Sequence, residues 1–379
     1  MQLPTQQIFA PVLAWSQHHN VVRVSSAAFI LAIIWLFVPQ YQKPTLQYIG
    51  HSLNPPPILK SPFEKTVAII RSNKQRSERM FMLKKYEPFF HTVHYSMPGL
   101  VPGYPSGWQD LNNDNAIDDY TIYREVAVAM QFILDVPEGS PESDINSLLF
   151  FHFDAWIDPM DFASDNFDQM WLPHSPDGLK TDAGSGGIFR CMNNKEEWAP
   201  WVFFEPPYQN HIHARRAIEA IQHFNYPYPG GEFCVGWSDI YLIPRRFWAD
   251  WIFLSAFFND FGVFQEVAIP TMMKIIDSTR RLHPTQSVMQ QMGECWGGCC
   301  TTNPDIRDLI THRCGHKFNY ADPTGSKVAG VHYDRLDRYA EMLGKPYNRT
   351  TWDQWNESAN GRSRAWFRPR VRGELLENV

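Results

Sequence analysis

Four short stretches of the chain carry side chains able to hold a cation, move a proton or grip an anion. The first is Phe150-Phe151-His152-Phe153-Asp154-Ala155-Trp156-Ile157-Asp158-Pro159, where an apolar run gives way to acids and is stopped by a proline. Ligands of open α/β sheets bind beyond the carboxyl ends of the strands, which puts Asp154 at the edge of a site. A carboxylate there can hold a hard divalent cation, and the cation in turn neutralises a diphosphate. The plainer reading is that Asp154 or Asp158 caps the turn after the strand, a place that Asp favours. The second stretch, Gly230-Gly231-Glu232-Phe233-Cys234-Val235-Gly236-Trp237-Ser238-Asp239, precedes the apolar Ile240-Tyr241-Leu242-Ile243-Pro244. Its glycines let backbone approach a ligand closely, and Ser238 or Asp239 can bind hydroxyls, although a simple turn before a strand also explains the glycines. The third, Phe264-Gln265-Glu266-Val267-Ala268-Ile269-Pro270-Thr271, sets Glu266 at a helix start. There it is either a general base aimed into a cleft or only a charge favoured by the helix dipole. The fourth, Lys327-Val328-Ala329-Gly330-Val331-His332, supplies a late lysine and histidine.

These residues need a frame. The β-branched run at 66–70 and the apolar run at 148–153 read as buried strands, with further strands at 89–95 and 233–243. Helical character at 75–87, 120–134, 245–258 and 267–281 alternates with them, and Val126, Met130 and Ile133 share one helical face. Such alternation with short connections predicts an α/β domain over 63–345: a mostly parallel, Rossmann-like sheet with helices on both faces.

Taken in chain order, the four stretches resemble the shared core of glycosyltransferases with the nucleotide-sugar-binding GT-A fold. The resemblance covers about residues 64–335. It implies that Asp154 is the acid of an Asp-x-Asp-like metal motif and that Gly236 and Asp239 form the glycine loop and acceptor edge. It also implies that Glu266 is the acid at the helix start and that His332 is a late metal-binding histidine. The chain departs from the motif at Asp154-Ala155-Trp156, where the second acid is missing, so Asp158 or His332 must complete the metal site. The expected activity is transfer of a sugar from a nucleotide-sugar donor to a glycan, glycoprotein or lipid acceptor. A divalent cation, manganese first and magnesium second, and Lys327 would stabilise the departing diphosphate. Glu266 and Asp239 would serve the acceptor hydroxyl. Two other readings stand beside it: a membrane-anchored metal-dependent hydrolase using Asp154, Asp158 and His152, and a non-catalytic glycan-binding scaffold. The aromatics Trp198, Trp201, Tyr208, Tyr226 and Tyr228 suit an acceptor groove or a packed core.

The rest of the chain concerns placement. A net charge of −6, with no long basic run, argues against a nucleic-acid partner. Residues 21–39 form an apolar segment just reaching the length of about 20 residues that a bilayer core needs. They predict a transmembrane anchor after a short cytoplasmic tail, 1–20, and before a proline-rich stem, 40–62. The tripeptides Asn348-Arg349-Thr350 and Asn356-Glu357-Ser358 in the surface tail 346–379 are glycosylation sequons. With an even number of cysteines they predict a type II protein of the Golgi or endoplasmic reticulum with its catalytic domain in the lumen. The cluster Cys295, Cys299, Cys300, His312, Cys314 and His316 has spacings that suit zinc, but disulfides are the better expectation in a lumen. Cys299 and Cys300 are then expected to pair outward with two of Cys295, Cys314, Cys234 and Cys191.

Overall fold

The computed structural model describes residues 59–72, 79, 82–96, 118–173, 189–194, 201–228, 230–281, 286–293, 295–297, 303–320 and 327–345. All lie in the unit Pro57–Val379. The expected anchor at 21–39, nearly all of the stem, both sequons, the tail 346–379, Cys299, Cys300 and the Lys327 side chain lie outside the described residues. Among the described residues, no helix is long and apolar enough to cross a membrane.

The frame is a six-stranded sheet built from β1 (Thr66–Arg71), β2 (Thr92–Ser96), β3 (Ser147–His152), β5 (Met170–Leu172), β8 (Ile240–Pro244) and β9 (Met289–Gln291). Its order is β2-β1-β3-β8-β5-β9. Successive strand residues point to opposite faces, and here both faces are apolar. Val67, Ile69, Leu148, Phe150, Tyr241 and Ile243 enter one core, whereas Ala68, Ile70, Leu149, Phe151, Ile240 and Leu242 enter the other. The first core is closed by helices α1 (Ile122–Leu134), α2 (Asn210–His223), α3 (Trp248–Asp260) and α4 (Gln265–Arg280). In α1, Val126, Met130 and Ile133 turn inward at helical spacing, as their pattern predicted. The second core is closed by the 3₁₀ helix Lys84–Phe89 and by α5 (Ile306–Thr311) and α6 (Lys327–Met342). The expected mixed α/β architecture, a mostly parallel sheet with helices on both faces, is therefore present.

Two expectations need correction. The strand expected at 233–243 is two strands in two different sheets. β7 (Phe233–Val235) pairs antiparallel with β6 (Arg190–Met192), and β8 joins the main sheet. The break falls at 236–239, where the Ser238 hydroxyl donates to the Gly236 carbonyl at 2.9 Å and turns the chain. β8 also runs antiparallel to both its neighbours, β3 and β5, so it is the exception in direction among the described strands of this sheet. The cysteines differ as well. Cys191 bonds to Cys234 and Cys295 to Cys314, so these four pair with one another rather than with Cys299 or Cys300. With Cys295 and Cys314 oxidised, a zinc site using their thiolates is excluded.

A small three-stranded sheet, β10-β11-β4, sits at the end of the main one. It comprises β4 (Trp156–Ile157), β10 (Cys295–Trp296) and β11 (Cys314–Gly315), and the second disulfide crosses its β10–β11 pair. Gly315 lies opposite Trp156 in the register, and a Cβ there would stand 2.5 Å from Trp156 Nε1. Because the Trp156 ring is fully buried, it has little room to yield. Gly315→Ala is expected to destabilise the fold by about 1–3 kcal/mol in urea denaturation, the usual range for overpacking.

Candidate metal centre and its carboxylates

The site lies where β3 ends. The ladder with β1 continues one step past the strand, through the Phe153 N–H donating to the Arg71 carbonyl at 2.8 Å. The chain then turns, with the Ala155 N–H donating to the His152 carbonyl at 2.9 Å, and enters β4. This turn leaves His152 and Asp154 at the carboxyl end of a central strand. β8 runs the opposite way, so its beginning meets the end of β3, and the His152 N–H donates to the Asp239 carbonyl at 3.0 Å. Their side chains also meet, with His152 Nδ1 at 2.7 Å from Asp239 Oδ1. β11 runs antiparallel to β4, which carries the following residue, His316, back over Asp154. His316 Nε2 is 3.1 Å from Asp154 Oδ1 and 3.6 Å from Asp239 Oδ1, and the Phe318 N–H ties down the Asp154 carbonyl at 2.6 Å.

Glu266 arrives from the first turn of α4. The Gly236 N–H donates to its carbonyl at 3.0 Å, and Thr271 clamps the same helix to the Cys234 backbone of β7. Fully buried Asn210 fixes the helix entry, with Oδ1 accepting from the Phe264 N–H at 2.8 Å and Nδ2 donating to the Phe203 carbonyl at 3.0 Å.

These groups set one another's charge. Burial raises the Asp154 carboxyl, but the His316 hydrogen bond and the charges of His316, His152 and Arg79 outweigh it and hold it down at about 2. Burial likewise opposes ionisation of Asp239, and the two histidines still keep it below its ordinary value. Burial lowers His316, yet the two aspartates win and raise it. Glu266 has no such partner: burial first, then the Asp239 charge, push it up to about 8. Two ionised carboxylates therefore sit beside one that keeps its proton at neutral pH. Asp154 leaves 36% of its side chain exposed and Asp239 only 9%, so Asp154 stands at the opening and Asp239 behind it.

His152, Asp154 and His316 each bring a ligand atom, all within 4.8 Å of one another. Two imidazoles and a carboxylate suit borderline first-row ions such as Fe²⁺ or Zn²⁺ best; Mn²⁺, like Mg²⁺, favours oxygen donors, of which the group offers one carboxylate. Asp239, bonded to His152, is placed as the outer carboxylate that orients a metal-bound imidazole. Three protein donors would leave positions for a ligand.

The structure thus brings together Asp154, Asp239, Glu266 and the Gly236 loop, which sequence reading selected, and it leaves Asp158 and His332 apart. Asp158 is fully buried and paired with Arg335; burial pushes it up to about 6. His332 places Nε2 2.8 Å from the Tyr86 hydroxyl, and burial drives it down to about 3, so it stays neutral. Tyr86 and Tyr320 in turn bond to the carbonyls of Ile157 and Ala155. His332 is thus tied through Tyr86 to the chain after Asp154, apart from His152, Asp154 and His316. The late histidine at the centre is His316, and no local spacing signals it, because 162 residues separate it from Asp154.

Among the aromatics, Tyr226 is spent on Asp250 and Tyr228 on the Glu232 carbonyl. Trp201 and Tyr208 flank Phe203, which stacks on Phe264 with centroids 4.2 Å apart, just before Glu266. Trp198 lies outside the described residues. No protein-family model matches this chain, and no curated protein matches it.

Glu266 makes a pH-dependent contribution of definite sign. Its carboxyl titrates at 4.5 ordinarily and at about 8 here, so between those values the folded state binds more protons than the unfolded one. Folding stability is lost as pH rises through that window. Glu266→Gln is expected to grow steadily more stable than the wild type from pH 4.5 to 8 and to hold a constant advantage above, as read from urea denaturation at a series of pH values.

Proposed function

We propose that this chain is a GT-A-type glycosyltransferase, moving a sugar from a nucleotide-sugar donor to an acceptor hydroxyl with the help of a divalent cation. One observation carries the reading: His152, Asp154 and His316 converge beyond the carboxyl end of β3 with ligand atoms close enough to hold a cation, and Asp239 and Glu266 lie beside them. When bound, a cation such as Mn²⁺ supplies Lewis-acid stabilisation of the charge that collects on the departing diphosphate. His152, Asp154 and His316 would hold it, with Asp239 keeping His152 oriented. Glu266, with its carboxyl moved to about 8, is matched to exchanging a proton with an acceptor hydroxyl near neutral pH. The partly exposed ledge of Trp201, Phe203, Tyr208 and Phe264 gives that acceptor an aromatic surface on which a sugar ring can lie.

The disulfides fit an oxidising compartment, and with the apolar segment at 21–39 they support a type II protein of the Golgi or endoplasmic reticulum. A second reading, a metal-dependent hydrolase, draws on the same two imidazoles, a donor pair that also serves to activate water. Nucleotide binding separates the two. With Mn²⁺ present, UDP or GDP is expected to stabilise the full-length protein by about 2.7 kcal/mol at a hundred times its Kd, measured as a rise in Tm. Asp154→Ala should reduce sugar transfer by roughly 10²–10³-fold, the scale of losing one charge-stabilising contact, while its denaturation midpoint in the absence of metal stays near that of the wild type. Phosphate-ester hydrolysis without nucleotide binding would select the hydrolase.

A further inference from the structure

Arg79 is held at the same strand end as the metal-binding group. Its Nη1 donates to the carbonyl of Phe153, the residue immediately before Asp154, at 3.2 Å. Its Nε is buried and has no hydrogen-bond partner, and no carboxylate among the described residues lies within ion-pair distance of the guanidinium. Other buried or partly buried arginines of the domain are differently placed. Arg71 faces Glu125, Arg313 pairs with Asp165, and Arg335 pairs with Asp158. A guanidinium carries five N–H donors, and removing it from water without an anion is costly. Asp154 lies close enough to feel its charge but is bonded to His316 instead. No described carboxylate pairs with the guanidinium, which leaves its donors suited to an anion from solution.

Two features of the location narrow what that anion is. A fork of donors matches the geometry of phosphate oxygens, and Arg binds them two at a time. The neighbouring donor set is suited to a cation, and a diphosphate is an anion that a cation and an arginine can share. We propose that Arg79 binds the diphosphate of the donor, beside the cation held by His152, Asp154 and His316. The inference rests on the glycosyltransferase reading and adds to it the residue that meets the leaving group's charge, a role that sequence reading had given to Lys327.

Inorganic pyrophosphate is the direct probe. Full-length protein, wild type, Arg79→Gln and Arg79→Lys, would be titrated calorimetrically with Mn²⁺ alone and then with pyrophosphate at saturating Mn²⁺. The expected result is that Arg79→Gln keeps its Mn²⁺ affinity and Tm but binds pyrophosphate roughly tenfold or more weakly, with Arg79→Lys in between. Equal pyrophosphate binding by wild type and Arg79→Gln overturns the proposal, as does no binding by the wild type. Parallel loss of Mn²⁺ affinity also overturns it, because the arginine would then be a prop for the metal ligands. The underlying reading fails separately: Arg79-dependent pyrophosphate binding with no transfer from any nucleotide sugar would leave the anion site standing and remove the transferase.

Discussion

Because β8 enters the sheet against the direction of β3, the start of one strand meets the end of the other, and Asp239 is delivered to His152 by backbone pairing alone. The rest of the site is arranged around that junction. The loop that lets the chain leave β7 and re-enter as β8 carries Gly236, and the Gly236 N–H holds the first turn of α4, bringing Glu266 with it. On the other side, the turn after β3 becomes β4, and β4 pairs with the strand that precedes His316. Four side chains from four distant parts of the sequence thus depend on two antiparallel pairings at one sheet end. A parallel strand in the place of β8 would have put its own carboxyl end there and moved Asp239 to the far edge.

The charges at this junction are a consequence of crowding. Asp154, Asp239 and Glu266 share a space too small and too dry for three free carboxylates. The histidines settle which of them ionise: both aspartates have an imidazole within ion-pair distance, whereas for Glu266 burial and the Asp239 charge outweigh the same imidazoles, and the proton stays with Glu266. Asp154 opens to solvent at the mouth of this site, and Arg79, distant in sequence, stands beside it through its bond to the Phe153 carbonyl.

Much of the frame was legible because it is written in local signals. The β-branched run before Arg71 and the apolar run before His152 are strands for the reason such residues prefer pleated, buried positions. An acid directly after such a run marks a strand's carboxyl end, and this is how Asp154 was found. Glu266 was visible as an acid in a first helical turn. What stayed hidden depends on pairing between distant segments. His332 was the attractive late histidine from chain position, but its ring fits among Tyr86, Trp156 and Phe318, where burial keeps it neutral. His316 looked like part of a cysteine-rich zinc pattern until the oxidation of Cys295 and Cys314 freed it for another role. The split at 236–239 was hidden too, because a hydroxyl-to-carbonyl bond inside an apolar stretch has no periodicity to betray it.

The disulfide between Cys295 and Cys314 closes a pair of two-residue strands, and His316 follows two positions after the second cysteine. The main sheet is filled by apolar cores on both faces, whereas β10 and β11 pair over only two positions, one of which the disulfide bridges. The arm that carries His316 and the body of the domain therefore differ in how they are tied. Reduction of that one bond would act first on the place of His316 over Asp154 and least on the strands of the main sheet.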